Sequence, residues 1–273
     1  MHAASGLVAS VETWLLLNVP GVVLAAGIVA LCLGLALGGL MLVRRNVELS
    51  SLEAHHDVAG FILAVVGVVY AVLLAFVVVI VWQQYDSARV DADREATVVL
   101  ALYQDAAALD DLPPDVRPDI RRYAQTVVAS EWDQMAEGHH ESREAGDALN
   151  AIWTAFRAMK PRTDSDIAFY GEAIRSLHEV SELRRSRIES SRAEIPAAIW
   201  GVLIVGAVIS VAFTYFFGVR SLAAQALMVS ALAALIGLVL AVILALDLPF
   251  SGGISVSPGS MRDTIVEFDH VPQ

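Results

Sequence analysis

The sequence has a single cysteine and far fewer basic than acidic residues. Eighteen Lys+Arg stand against 30 Asp+Glu in 273 residues, and a formal net charge of -12 is the wrong sign for a nucleic-acid binder. A single cysteine, Cys32, rules out a small domain stapled by disulfides. Charged residues make up only 18% of the chain against 56% hydrophobic ones, with a mean hydropathy of +0.61. That is too apolar for a soluble or disordered chain and points to a membrane protein. No P-loop, dinucleotide fingerprint, His-Glu-x-x-His, Cys-x-x-Cys or nucleophile elbow is present. No catalytic residue, no cofactor and no enzyme activity are therefore expected. His139 and His140 are adjacent, and neighbouring positions are expected to face different ways, so no metal site is expected there either.

Four apolar runs are long enough for a bilayer core of about 30 Å, which takes roughly 20 helical residues. They span about Val19–Val43, Val58–Trp82, Ile195–Phe217 and Leu222–Leu246. Short connections pair them into two helical hairpins. The leader before the first run holds no Lys or Arg, and the run is too long for the apolar core of a signal peptide, so it is expected to stay attached.

Residues 83–194 hold 14 basic and 22 acidic side chains. Apolar residues recur there at helical spacing, as in Ile120, Tyr123, Ala124, Val127, Val128, Trp132 and Met135, and in Leu149, Ile152, Trp153, Phe156 and Met159. Breaks are expected at Pro113-Pro114, at Gly138–His140 and at Pro161, with Asp164 or Ser165 capping a last helix. Nothing interrupts the pattern where this region meets the second span, or the third before Pro196, so both membrane helices are expected to run on beyond the bilayer. The fold class is all-α, with four transmembrane helices in two hairpins and a soluble helical bundle inserted between the second and third. The domains are 1–82, an N-terminal hairpin; 83–194, the bundle; 195–248, a C-terminal hairpin; and 249–273, a tail.

Sidedness is divided on charge. Arg44, Arg45 and Arg220 in the short loops favour an external bundle, whereas Arg89, Arg94, Arg184, Arg185, Arg187 and Arg192 flank the membrane on the bundle side. Small residues recur every three or four positions in the first helix (Ala30, Gly34, Gly38), the second (Gly60, Ala64, Gly67, Ala71, Ala75) and the fourth (Ala226, Ser230, Ala234, Gly237, Ala241, Ala245). Such faces pack helices closely in lipid, or line a narrow pore.

Two acids sit at the span edges. Asp57 fits an N-cap of the second helix or an acidic ring at a pore mouth. Asp247 fits a helix-end brace or a cation ligand. Phe61, Tyr70 and Phe76 are candidates for a hydrophobic gate, and equally for packing against helices or lipid. Trp82 and Tyr85 read as interfacial anchors.

The stretches Asp57-Val-Ala-Gly-Phe61, Tyr70-Ala-Val-Leu-Leu-Ala-Phe76, Trp82-Gln-Gln-Tyr85, Phe213-Thr-Tyr-Phe-Phe-Gly-Val-Arg-Ser221 and Leu246-Asp-Leu-Pro-Phe-Ser-Gly252 resemble the prokaryotic bestrophin-like membrane proteins. That resemblance implies a distant relative of bestrophins: a pentameric channel in the prokaryotic inner membrane, its second helix lining the pore and its bundle in the cytoplasm. It would put Phe61, Tyr70 and Phe76 on the pore helix. The dense acidic cluster of calcium-responsive bestrophins has no counterpart, since Asp247, Asp263, Glu267 and Asp269 are scattered. The acidic composition leans toward cations. Expected partners are membrane lipid, other copies of the chain in a homo-oligomer and permeant inorganic ions, with no nucleic acid. A scaffold or stator-like subunit, working only with a partner protein, shares the gross topology.

Overall fold

The computed structural model describes residues 19–47, 56–109, 112–137, 141–217 and 221–271, with the side chains of residues 56–59 outside the description. Regular structure among the described residues is all helical. In chain order the helices are α1 (Gly21–Asn46), α2 (His56–Ala107), α3 (Val116–Thr126), a π-helical turn (Val127–Glu131), α4 (Trp132–Ala136), α5 (Arg143–Ala158), α6 (Asp164–Ser190), α7 (Ala197–Tyr215), α8 (Leu222–Asp247) and α9 (Gly259–Glu267). Four of them, α1, α2, α7 and α8, are long and apolar enough to cross a membrane, as the hydropathy pattern predicts.

Proline sets several of these boundaries, because it fixes φ and offers no N–H. Pro20 and Pro196 immediately precede α1 and α7. No proline lies between Pro20 and Pro113, and α2 accordingly runs for 52 residues. The third span behaves differently from expectation. The chain leaves helical geometry after Ser190 and re-enters it only at Ala197, so α7 is a separate helix and not the continuation of α6. The cap of α6 is also one residue earlier than predicted: Thr163 accepts from the Asp166 amide, and the Asp166 carboxylate accepts from Thr163 N–H in return.

The chain divides into two compact units. The first comprises Met1–Gln83 and Glu194–Asp247. Within it α1 packs along α8, burying Ala36 and Leu40 against Val229 and Ala233. Gly237 makes that approach possible, since a Cβ there would stand 3.1 Å from the Val29 Cα. Polar groups close the other contacts: Tyr215 donates to the Ala36 carbonyl at 2.8 Å, and Arg44 Nη2 donates to Gln225 Oε1 at 2.6 Å. Gln225 Nε2 in turn donates to the Phe217 carbonyl at 2.9 Å, satisfying an acceptor past the end of α7. Gly34 and Gly38, on the predicted small face of α1, look onto open space.

The second unit comprises Gln84–Ala193 and Leu248–Gln273. Its core gathers Ala92, Ala96 and Val99 of α2, Ile120 and Tyr123 of α3, Ile152 and Phe156 of α5, and Leu177 and Val180 of α6. Residues read as a tail contribute directly. Phe268 stacks on Tyr103 with ring centroids 4.1 Å apart, Phe250 meets Trp132 edge-on, and Trp132 Nε1 donates to the Val256 carbonyl at 2.9 Å.

Candidate functional site

Within the first unit, the stretch of α2 from Gly60 to Trp82 carries no charged residue and presents three kinds of surface. At about 100° per residue, Phe61, Val65, Val68, Val72, Phe76 and Val79 fall in one sector. All six are exposed, Phe61 by 74% and Phe76 by 64%. Tyr70 lies about 180° from Phe61. It is 6% exposed, with its hydroxyl donating to the Leu203 carbonyl of α7 at 2.9 Å and its ring filling the gap left by Gly206. The three aromatic candidates are thus not brought together: two share the free sector of α2, and the third braces α2 against α7. Asp57 is the second residue of α2, and its side chain lies outside the described residues.

Between these two sectors runs the small-residue stripe. Gly67, Ala71 and Ala75 form the floor of an apolar cleft of about 630 Å³, closed by Ser210 of α7 and by Leu232, Leu235, Ile236 and Val239 of α8.

Asp247 is the last residue of α8 and 1% exposed. Its Oδ1 accepts from Ile195 N–H at 2.8 Å, and its Oδ2 accepts from Trp200 Nε1 at 3.3 Å. A carboxylate at the start of α7 complements the positive end of that helix and ties it to the end of α8.

The second unit holds a charge cluster that hydropathy reading passes over. Arg187 of α6 and Glu95 of α2 are both wholly buried. They form a fork, Arg187 Nε to Glu95 Oε2 at 2.6 Å and Nη2 to Oε1 at 3.1 Å. Arg187 Nη2 also reaches Glu131 Oε2 at 2.8 Å, and Arg184 Nη2 donates to Glu131 Oε1 at 2.6 Å. Tyr123 completes the set by donating to Glu95 Oε1 at 2.6 Å, with the Ser142 amide on Glu131 and the guanidinium of Arg187 5.0 Å from the Trp132 ring centre. Burial pushes the Glu131 carboxyl up, but Arg187 and Arg184 outweigh it and hold its pKa below the ordinary value. Burial and the neighbouring Glu95 push the Tyr123 phenol well up.

The π-turn is what assembles one wall of the cluster. Its signature is Trp132 N–H bonded to the Val127 carbonyl, five residues back. In an unbroken α-helix Met135 would stand about 120° round from Tyr123, and one extra residue in the turn takes back about 100°. Met135 Sδ consequently meets Arg187 at 3.3 Å on the side where Tyr123 meets Glu95.

A family model described as Bestrophin-like domain matches residues 30–261, which takes in all of α2–α8, most of α1 and the start of α9. The chain belongs to the bestrophin-like family. With its four apolar helices, that makes it a multi-pass membrane protein of an ion-channel-like family. No curated protein and no solved structure matches it.

Proposed function

We propose that this bestrophin-like protein is a homo-oligomeric ion channel, pentameric by family resemblance, in which α2 lines the pore. The observation that carries this reading is the uncharged sector of α2 from Phe61 to Val79, bulky, apolar and exposed along its length. Turned toward an oligomer axis, such a sector forms a hydrophobic constriction that conducts when wet and closes when dry. Phe61 and Phe76 are the narrowing residues in this arrangement, and Tyr70 fixes the rotation of α2 from behind. Asp57, at the start of the same helix, supplies an acidic ring at the mouth, and with the net charge of -12 this favours cations. Asp247 is assigned to bracing α7, since N–H donors engage both its oxygens. The helical unit of residues 84–193 and 248–273 is placed in the cytoplasm of a prokaryotic cell, the inner membrane being the one spanned.

The test is ion flux and reversal potential of the purified protein in liposomes under asymmetric KCl, then with either ion replaced. A selective current from the protein alone supports the channel. Intact oligomers that stay silent across voltage, pH and calcium favour a scaffold that works only with a partner.

A further inference from the structure

The geometry points to a second property of the membrane-spanning unit: the cleft between α2, α7 and α8 is a binding site for an uncharged single-chain lipid carrying one carbonyl or hydroxyl group, which hydrogen-bonds to Ser210. The cleft shares only Val79 with the Phe61 sector, and its floor of Gly67 and Ala71 lies about 80–120° round α2 from Phe61, so the site is tested by labelling and not by conduction.

Shape comes first. Every lining residue belongs to a helix able to cross a membrane, so hydrocarbon and not water is the surrounding solvent. The cleft follows α2 from Leu63 to Val79, about 24 Å of helix rise against a hydrocarbon core of about 30 Å. Its volume of about 630 Å³ falls within the usual range for small-molecule sites. A floor of Gly67, Ala71 and Ala75 between Leu, Ile and Val side chains makes an elongated apolar groove, suited to an extended chain.

Chemistry narrows the ligand. The lining contains only two polar side chains, Tyr70 and Ser210, and no charged one. The Tyr70 hydroxyl is committed to the Leu203 carbonyl. Ser210 is 3% exposed, and its hydroxyl has no hydrogen-bond partner among the described residues. An orphan hydroxyl costs about 1–3 kcal/mol where no water reaches it. A plain acyl chain leaves that cost standing, and the backbone of a neighbouring membrane helix has its own bonds already made. A ligand with one neutral carbonyl or hydroxyl removes it. A charged group within the cleft is excluded, since nothing in the lining would balance it.

The experiment uses the full-length protein in nanodiscs of one defined phosphatidylcholine, with two photoreactive probes: a diazirine-bearing fatty-acid methyl ester and a diazirine-bearing alkane of equal length. Labelled positions are mapped by mass spectrometry. The methyl ester is expected to label the Leu63–Val79 and Leu232–Val239 stretches saturably. Ala71→Phe, which fills the floor, should abolish that labelling, and Ala75→Leu should do the same should the first variant melt early. Ser210→Ala should weaken the ester by about fivefold, the worth of one net hydrogen bond, and leave the alkane unchanged. Absent or non-saturable labelling of the wild type overturns the site, as does labelling that survives in a folded filled variant. Cross-links joining two chains through the cleft would show that a second copy occupies it instead. Equal loss of both probes in Ser210→Ala removes the role given to the hydroxyl.

Discussion

The ring of Tyr70 sits where Gly206 would carry a side chain: a Cβ at that position would lie 2.5 Å from Tyr70 Cδ2. Together with the hydroxyl bond to Leu203 it forms a key and slot between α2 and α7, and it sets which sector of α2 is left free. Gly206→Ala should therefore lower stability by about 1–3 kcal/mol, the usual cost of overpacking. Tyr70→Leu in the same chain should recover part of that loss. Thermal unfolding of the four proteins in one detergent measures the coupling, and simple additivity would show that the two side chains are independent.

Removing one member of the buried charge cluster should cost more than removing a pair. Arg187→Met leaves Glu95 and Glu131 without their shared cation, and an uncompensated buried charge typically costs about 3–5 kcal/mol. Adding Glu95→Gln to Arg187→Met should restore a good part, since Glu131 keeps Arg184. A double-mutant cycle from denaturant midpoints reads the interaction. Losses that merely add would mean that the fork contributes nothing specific.

The cluster also gives stability a pH dependence with a definite sign. Glu131 has a depressed pKa in the folded state, so its contribution is present above the ordinary Glu value of about 4.3 and is lost as pH falls through the folded value. Tyr123 has a raised pKa, so its contribution is present below the ordinary Tyr value of about 10 and declines as pH rises above it. Glu131→Gln should flatten the acid limb of a melting-temperature profile, and Tyr123→Phe the alkaline limb. Unchanged limbs in both variants would place the titrating groups elsewhere.

Periodicity carried most of the fold, and the reasons it stopped short are local. The four spans, and breaks beside Pro113-Pro114 and Pro161, are legible because lipid demands long apolar helices and proline interrupts them. The break between α6 and α7 leaves a weaker trace, Ser191, Arg192 and Glu194 being polar but not helix-breaking before Pro196. The charge cluster did leave a signal. Glu95 lies three residues after Ala92, Glu131 four after Val127, and Arg184 and Arg187 four and seven after Val180, each on an apolar stripe where a charge has to be paired. Registering only apolar residues hides them. The π-turn cannot be read at all from an α-period, and it alone decides that Met135 joins Tyr123. At the candidate pore, the sequence named Phe61, Tyr70 and Phe76 together, whereas their spacing of nine and six residues separates Tyr70 from the other two.

Asp247 links the ends of two membrane helices through N–H donors, and that role differs from ion binding in a measurable way. Asp247→Asn keeps an acceptor for one of Ile195 N–H and Trp200 Nε1 but loses the charge facing the start of α7. A loss of about 1–2 kcal/mol in unfolding free energy is expected, along with a change in the Trp200 fluorescence maximum. An unaltered melting point and spectrum, accompanied by changed ion selectivity, would return Asp247 to the ion path.

The free sector of α2 makes the sharpest functional contrast. Phe61 and Phe76 are exposed in the chain, while Tyr70 is buried. A hydrophobic constriction conducts more readily when it is widened, because a wider apolar neck stays wet. Phe76→Ala should accordingly raise single-channel conductance or open probability with little change in melting temperature. Tyr70→Phe keeps the ring in its slot and removes only the bond to Leu203, so it should lower stability by about 0.5–1.5 kcal/mol and leave conductance unchanged. Should Tyr70→Phe change conductance and Phe76→Ala leave it alone, α2 would be turned the other way, with its small stripe and Tyr70 toward the ions and its bulky sector toward lipid.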